Sequence, residues 1–271
     1  MRQLAAAVLL ATLLGCAHAP PAPPASDEDG RMAYAHQLFA AGDYDRVVLL
    51  LQELIANRPG SRYVEEATFF IGRAYYEQGM DLEAEDQFRQ YLRSFRGGNF
   101  EAEAQYYLGL ALLSQSRSPM LDQTETKAAL AEFQSFLSRF PDHELAERAK
   151  GHIATIRAKL AETEYLNGKL YLKRGKGYQK AARFYFLERV LDPYGDTPWA
   201  CPAILGLGES CRKTGDWEDA ARWAQRYLDT CPDGENAGDA RDILNAAAEN
   251  GISGEPDTSR AAEPAAGAPE R

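Results

Sequence analysis

Cysteine, histidine and lysine are the side chains in this 271-residue chain that could carry covalent, metal or phosphate chemistry. The histidines are His18, His36, His143 and His152. None forms a His-Glu-x-x-His pair on one helix face, and none stands beside a nucleophile that it could activate. Gly175-Lys176 lacks the upstream glycine and the following Ser or Thr with which a phosphate loop cradles a nucleotide. The cysteines, Cys16, Cys201, Cys211 and Cys231, contain no Cys-x-x-Cys spacing for metal or redox work. The carboxylates are spread over helix faces, where solvation explains them. The residues therefore point to no catalytic site, no metal site and no cofactor. What remains open to the cysteines is acylation and disulfide formation.

Acylation concerns Cys16. Arg2 precedes an apolar run from Leu4 to Leu14, which is too short to span a bilayer and has the length of an export-signal h-region. The run ends in Leu13-Leu14-Gly15-Cys16, which resembles the lipobox of bacterial lipoproteins. An ordinary export signal with a chance cysteine is the other reading. The lipobox resemblance implies that residues 1–15 are a lipoprotein signal peptide and that Cys16 receives a thioether-linked diacylglycerol and an N-acyl chain, palmitate-like in kind. Each buried methylene contributes roughly 0.8 kcal/mol, so three chains hold where one does not. Residues 16–30 then form the lipidated cysteine and a tether. It contains Pro20, Pro21, Pro23 and Pro24 and closes on SDEDG, a composition that stays extended.

The rest of the chain must position any binding surface. Tyr34, Ile71 and Leu108 stand 37 residues apart. Ile71, Gly72, Tyr75, Ala84, Phe88 and Tyr91 share their mutual spacing with Leu207, Gly208, Cys211, Ala220, Ala224 and Tyr227. Small residues at two positions and large ones around them describe two crossing helices joined by a tight turn, and Gly42-Asp43-Tyr44 and Gly215-Asp216-Trp217 mark such turns. The pattern resembles the tetratricopeptide repeat (TPR). The expected fold is all-α: a solenoid of about five helix-turn-helix repeats over residues 31–250. A C-terminal capping helix is expected within Asp233 to Asn250 and a disordered tail over 251–271. The formal charge of −10 and pI near 5.0 argue against nucleic acid or anionic lipid as partner.

Two features break the array. Ser114 to Thr126 lengthens the third repeat by about eight residues relative to the second, and such a loop is a contact element. From Leu145 through Ile153, Ile156, Leu160 and Tyr165 to Tyr171, one apolar period describes a helix of roughly thirty residues. That is about twice what a repeat needs.

These two features carry a sharper resemblance. SPMLDQTETKAALAEFQSFLSRFPDHELAERA (118–149) and LAETEYLNGKLYLKRGKGYQKAA (160–182), with RPGSRYVEEA (58–67) and DTPWA (196–200), resemble the BamD family of outer-membrane assembly lipoproteins. The resemblance covers the chain from Ala33 to about Pro232. Departures are Arg96-Gly97-Gly98 where a proline is usual, Pro193-Tyr194-Gly195 in place of a Tyr-Pro pair, and one extra residue near Gly177. The resemblance implies a non-enzymatic scaffold of the β-barrel assembly (BAM) complex, lipid-anchored at the periplasmic face of the outer membrane. Its implied partners are a BamA-like insertase with POTRA domains, other BAM lipoproteins and unfolded outer-membrane protein precursors. Ala17 is not the aspartate that retains some lipoproteins at the inner membrane. Another periplasmic repeat lipoprotein, a secretin pilotin or a Tol-Pal coordinator, would share the lipobox and repeats but is not expected to share both the loop and the long helix.

Positions beside the packing residues on each first helix give a candidate peptide groove: Met32, His36 and Phe39, then Phe69, Arg73 and Tyr76, then Tyr106 and Leu110. An extended segment could stack an aromatic ring on Phe69 or Tyr76 and pair a carboxylate with Arg73. The same side chains could instead pack between repeats or under the tether. Arg183 and Arg189 are candidate insertase contacts, since arginine forks favour interfaces, though most surface arginines are merely solvated. Cys201 begins the first helix of the last repeat and Cys231 ends its antiparallel partner, so the two should lie close enough to bridge, with Cys211 free and buried. Three buried thiols acting as small apolar residues is the alternative.

Overall fold

A computed structural model describes residues 23–252. The expected signal peptide, the acylation site Cys16, the first part of the tether and the tail beyond residue 252 lie outside the described residues.

Every regular element among the described residues is helical. In chain order they are α1 (Glu28–Ala40), α2 (Tyr44–Asn57), α3 (Val64–Glu77), α4 (Asp81–Ser94), α5 (Glu101–Ser114), α6 (Thr124–Arg139) and α7 (Ala146–Lys173). Then come a 3-10 turn (Lys176–Tyr178), α8 (Gln179–Phe184), a π-helical turn (Tyr185–Leu191), α9 (Asp192–Tyr194), α10 (Ala200–Thr214), α11 (Trp217–Thr230) and α12 (Ala237–Glu249). Each helix packs on its sequence neighbours, which is the TPR solenoid. The repeats are α1–α2, α3–α4, α5–α6, the second half of α7 with α8, and α10–α11, with α12 laid against the last pair.

The first helix starts earlier than its sequence indicated. Asp27 accepts a hydrogen bond from the Gly30 amide at 2.8 Å, so Glu28 to Gly30 belong to the solenoid and not to the tether. An aspartate at this position satisfies an amide that the helix itself leaves unpaired. Within repeats the turn after the first helix needs a left-handed residue, and Gly42 (φ 76°) and Gly215 (φ 86°) supply it.

What holds the pairs together is one contact repeated three times. An alanine-sized Cβ at Gly72 would stand 2.9 Å from the Phe88 ring, and one at Gly109 would stand 2.9 Å from the Phe133 ring. At Gly168 it would stand 2.6 Å from the Phe186 ring. Each phenylalanine thus packs its ring against bare helix backbone, with Ala84, Ala129 and Ala182 fully buried at the same crossings. Phe186 is held on both sides, because Gly206 on α10 also lies within 2.6 Å of it by the same measure. In the last repeat Ala224 takes the phenylalanine's place and Ile243 of the cap closes over Gly208.

These contacts form three cores in series. The long α7 belongs to two of them: Ile156 and Leu160 complete the middle core, while Ala161 and Leu172 open the C-terminal one. It therefore splices the first three repeats to the last two. The π-helical turn had no sequence signal. It continues α8 without a break while setting Phe186 and Val190 into the C-terminal core.

Candidate functional site

The first helices α1, α3 and α5 present one half-buried strip. At its centre the Arg73 guanidinium lies 4.1 Å from the Tyr107 ring centroid and 5.3 Å from that of Phe39. Such contacts hold a cation over the negative face of a ring. Arg73 Nη2 donates to Glu77 at 3.2 Å, while its Nε is buried with no partner. Tyr76 stacks edge-on to Tyr107 at 5.6 Å, and burial pushes its phenol above the usual range. Toward the N-terminus Phe70 meets His36 edge-on at 4.6 Å and Phe39 at 5.4 Å. His36 Nε2 lies 2.9 Å from Glu66. The result is a slot with aromatic walls and one central cation, with Glu77 on that cation and Glu66 on His36.

Of the expected groove residues, His36, Phe39, Arg73, Tyr76 and Leu110 stand half-buried along this strip. Met32, Phe69 and Tyr106 do not line it: all three are buried in the core. They occupy the same position in consecutive repeats, two residues before the Tyr34, Ile71 and Leu108 packing position. Two residues are about 200° of helix, so this position lies nearly opposite the packing residue, on the face that the following part of the chain covers. Phe69 stacks on Phe100 at 4.7 Å, and Tyr106 shares a hydrogen bond with His152 at 3.1 Å. The members of the doublets that do reach the strip are Phe70 and Tyr107. The doublets Phe69-Phe70 and Tyr106-Tyr107 are the sequence signal for them.

The candidate insertase contacts are both engaged within the chain. Arg183 donates to Asp216 at 2.8 Å and touches the Cys211 sulfur at 3.4 Å, which ties α8 to the turn between α10 and α11. The Thr214 hydroxyl and then Arg183 hold the Asp216 carboxyl below its usual range. Arg189 donates to Glu164 of α7 at 3.0 Å with half its side chain exposed.

The structure joins Cys201 to Cys231 with Cα atoms 6.3 Å apart, so the start of α10 is fastened to the end of α11. Cys211 is free, and burial pushes its thiol upward despite the adjacent Arg183. Among the described residues no cluster of His, Cys, Asp or Glu is arranged to hold a metal ion. Nor is any described helix long and apolar enough to cross a membrane.

Comparison with known proteins gives two family matches: YfiO, an outer membrane lipoprotein family, over residues 27–205, and a tetratricopeptide repeat over 203–237. The chain is 25% identical over 224 residues to the outer membrane protein assembly factor BamD of Caulobacter vibrioides, covering 81% of this chain and 72% of that one. It is 26% identical to the protein of that name from Xylella fastidiosa, covering 73% and 70%. With the one from Vibrio cholerae it shares 23%, covering 78% and 94%. Among solved structures, a tetratricopeptide repeat protein from Parabacteroides merdae aligns at a TM-score of 0.36 and 15% identity, covering 83% of this chain and 74% of that one.

Proposed function

Since the chain belongs to the YfiO family of outer membrane lipoproteins, the family of the assembly factor BamD, we propose that it is a non-enzymatic scaffold of the β-barrel assembly machine. In this reading it is acylated at Cys16, faces the periplasm from the outer membrane, holds a POTRA-bearing insertase through its C-terminal repeats and receives unfolded barrel precursors at its N-terminal ones. The observation that carries the reading is that one family match runs unbroken over residues 27–205, taking in both the slot at Arg73 and the long α7.

The slot supports the precursor half of the proposal on chemical grounds. Barrel strands alternate apolar and polar residues and carry aromatic girdles. An extended segment laid along α1, α3 and α5 can place an aromatic ring among Phe39, Phe70 and Tyr107 and offer a carboxylate to Arg73 in competition with Glu77. Because Arg73 is already held between two rings, little side-chain freedom remains to be lost on binding.

Depletion of the protein tests the assignment. Loss of many barrel proteins from the outer membrane supports it. Loss of a single secretin, or intact barrels with a division defect, would instead identify a pilotin or a Tol-Pal coordinator. For the slot, Arg73→Ala should weaken a peptide copying a barrel's terminal strand by about tenfold, as expected when a charge-assisted hydrogen bond is lost. Unchanged peptide affinity would remove the slot from the account.

A further inference from the structure

The whole-chain charge of −10 conceals one basic edge. From Tyr165 to Leu187 there is no acidic residue, while Lys169, Lys173, Arg174, Lys176, Lys180 and Arg183 fall within that span. Arg183 is committed to Asp216, but the other five are exposed at the tip formed by the end of α7, the following turn and the start of α8. None of those five has a carboxylate within ion-pairing distance among the described residues. Elsewhere Arg31, Arg46, Arg62, Arg139 and Arg157 are each paired with an Asp or Glu, and cations without an ion pair such as Lys127 and Arg241 stand close to acidic sequence neighbours. Among the described residues no other run free of acidic residues gathers as many unpaired cations as the tip. Lys213 adds a further cation at the base of the tip, donating to the Leu172 carbonyl at 3.0 Å.

Apolar surface accompanies the charge. Leu170 and Tyr178 are 47% and 46% exposed. Tyr171 stacks on Tyr178 and Tyr185 at 6.3 and 5.4 Å, and Arg174 lies over the first two of these rings. Lys173 to Tyr178 are six consecutive exposed residues, so the tip stands open to solvent.

We infer that this tip is a docking surface for an anionic phospholipid bilayer. Four of the five cations without an ion pair are lysines, compact charges on flexible stems that follow a fluid array of phosphates without fixed geometry. Lysine is depleted at protein interfaces, where arginine is favoured, and the one arginine at the tip is already engaged by tyrosine rings. Tyrosine and leucine among lysines is the composition that settles at a headgroup boundary. Charge and apolar surface thus agree on the occupant. Contact at the α7–α8 tip would fix how the C-terminal repeats sit relative to the membrane, which an acyl anchor at the N-terminal end alone does not.

The test uses the mature chain, residues 16–271, with Cys16→Ser, so that neither the apolar signal segment nor an acyl group carries it to lipid. It is co-sedimented with sucrose-loaded vesicles of phosphatidylcholine, with and without phosphatidylglycerol. The parent should sediment with the anionic vesicles only, and the binding should fall as salt is raised. Lys173→Gln/Lys176→Gln/Lys180→Gln, all at exposed positions, should bind about a hundredfold more weakly, a factor of about five for each charge removed. Its melting temperature serves as the check on folding. A parent chain that ignores anionic vesicles overturns the inference whatever the variant does. So does a folded variant that binds like the parent, including one that instead loses a co-purifying protein, which would make the tip a protein interface.

Discussion

Two glycines inside one helix should respond oppositely to the same substitution. Gly151 and Gly168 both lie within α7, where glycine is about 1 kcal/mol less favourable than alanine. Nothing lies within 4 Å of a Cβ built at Gly151, so Gly151→Ala should stabilise by about that amount. At Gly168 the new Cβ would meet three atoms of the Phe186 ring at 2.6 to 3.0 Å. The ring has little room to retreat, because its other edge packs against the bare backbone at Gly206, so closely that a Cβ there would stand 2.6 Å from it. Overpacking a filled core costs about 1–3 kcal/mol, and a ring held on both sides belongs in the upper half of that range. Set against the gain in helix propensity, Gly168→Ala should lose about 1–2 kcal/mol net, leaving the two variants about 2–3 kcal/mol apart. With a urea m-value of about 2–3 kcal/mol/M, their midpoints should differ by roughly 1 M. Trp199 and Trp223 lie in or against the core that contains Phe186, so tryptophan fluorescence reports on the affected region. Adding Phe186→Leu to Gly168→Ala should recover part of the loss. A Gly168→Ala midpoint at or above that of Gly151→Ala would refute the close packing that splices α7 into the C-terminal repeats.

Three further outcomes are expected. The unfolded, unreduced mature chain should expose a single reactive thiol, Cys211, and Cys201→Ser/Cys231→Ser should lose roughly 3 to 4 kcal/mol by loop-closure entropy; three reactive thiols would show that the bridge does not form. Burial, and secondarily Arg148, hold the His152 imidazole below its ordinary pKa of 6.5, so the unfolded chain takes up a proton that the folded chain resists. Stability contributed by the neutral ring should therefore be complete above about pH 6.5 and fall as pH drops through that value toward the folded pKa; urea midpoints between pH 7 and 5 should show this slope, and His152→Gln should flatten it. The Tyr91 hydroxyl donates to Glu65 at 2.8 Å and accepts from the Phe100 amide at 3.0 Å, so Tyr91→Phe should cost about 1–2 kcal/mol in the same assay by leaving that amide unpaired.

The repeats were legible because their packing is local and periodic. Gly72 with Phe88 and Gly109 with Phe133 follow one rule, so spacing alone located the helix pairs, the extra loop and the long α7. The slot was legible only in outline. Adjacent aromatic residues differ by about 100° on a helix, and nothing in a doublet says which member the next repeat will cover. Phe69 is covered by Phe100 and Tyr106 by His152, partners that lie 31 and 46 residues further along the chain and follow no repeat spacing. Ion pairing was illegible for the same reason. Arg183 and Asp216 are 33 residues apart, and only the folded turn between α10 and α11 brings them together. The basic edge was hidden differently: a summed charge of −10 averages over a cluster that the fold leaves without acidic neighbours.

The assembly role turns on what the protein holds. Gentle solubilisation of native membranes, capture through a C-terminal tag and mass spectrometry of the co-purifying proteins address this directly. The account predicts recovery of an outer-membrane barrel protein bearing periplasmic POTRA domains. Recovery of a secretin, or of a peptidoglycan-binding lipoprotein, with no such barrel would contradict it.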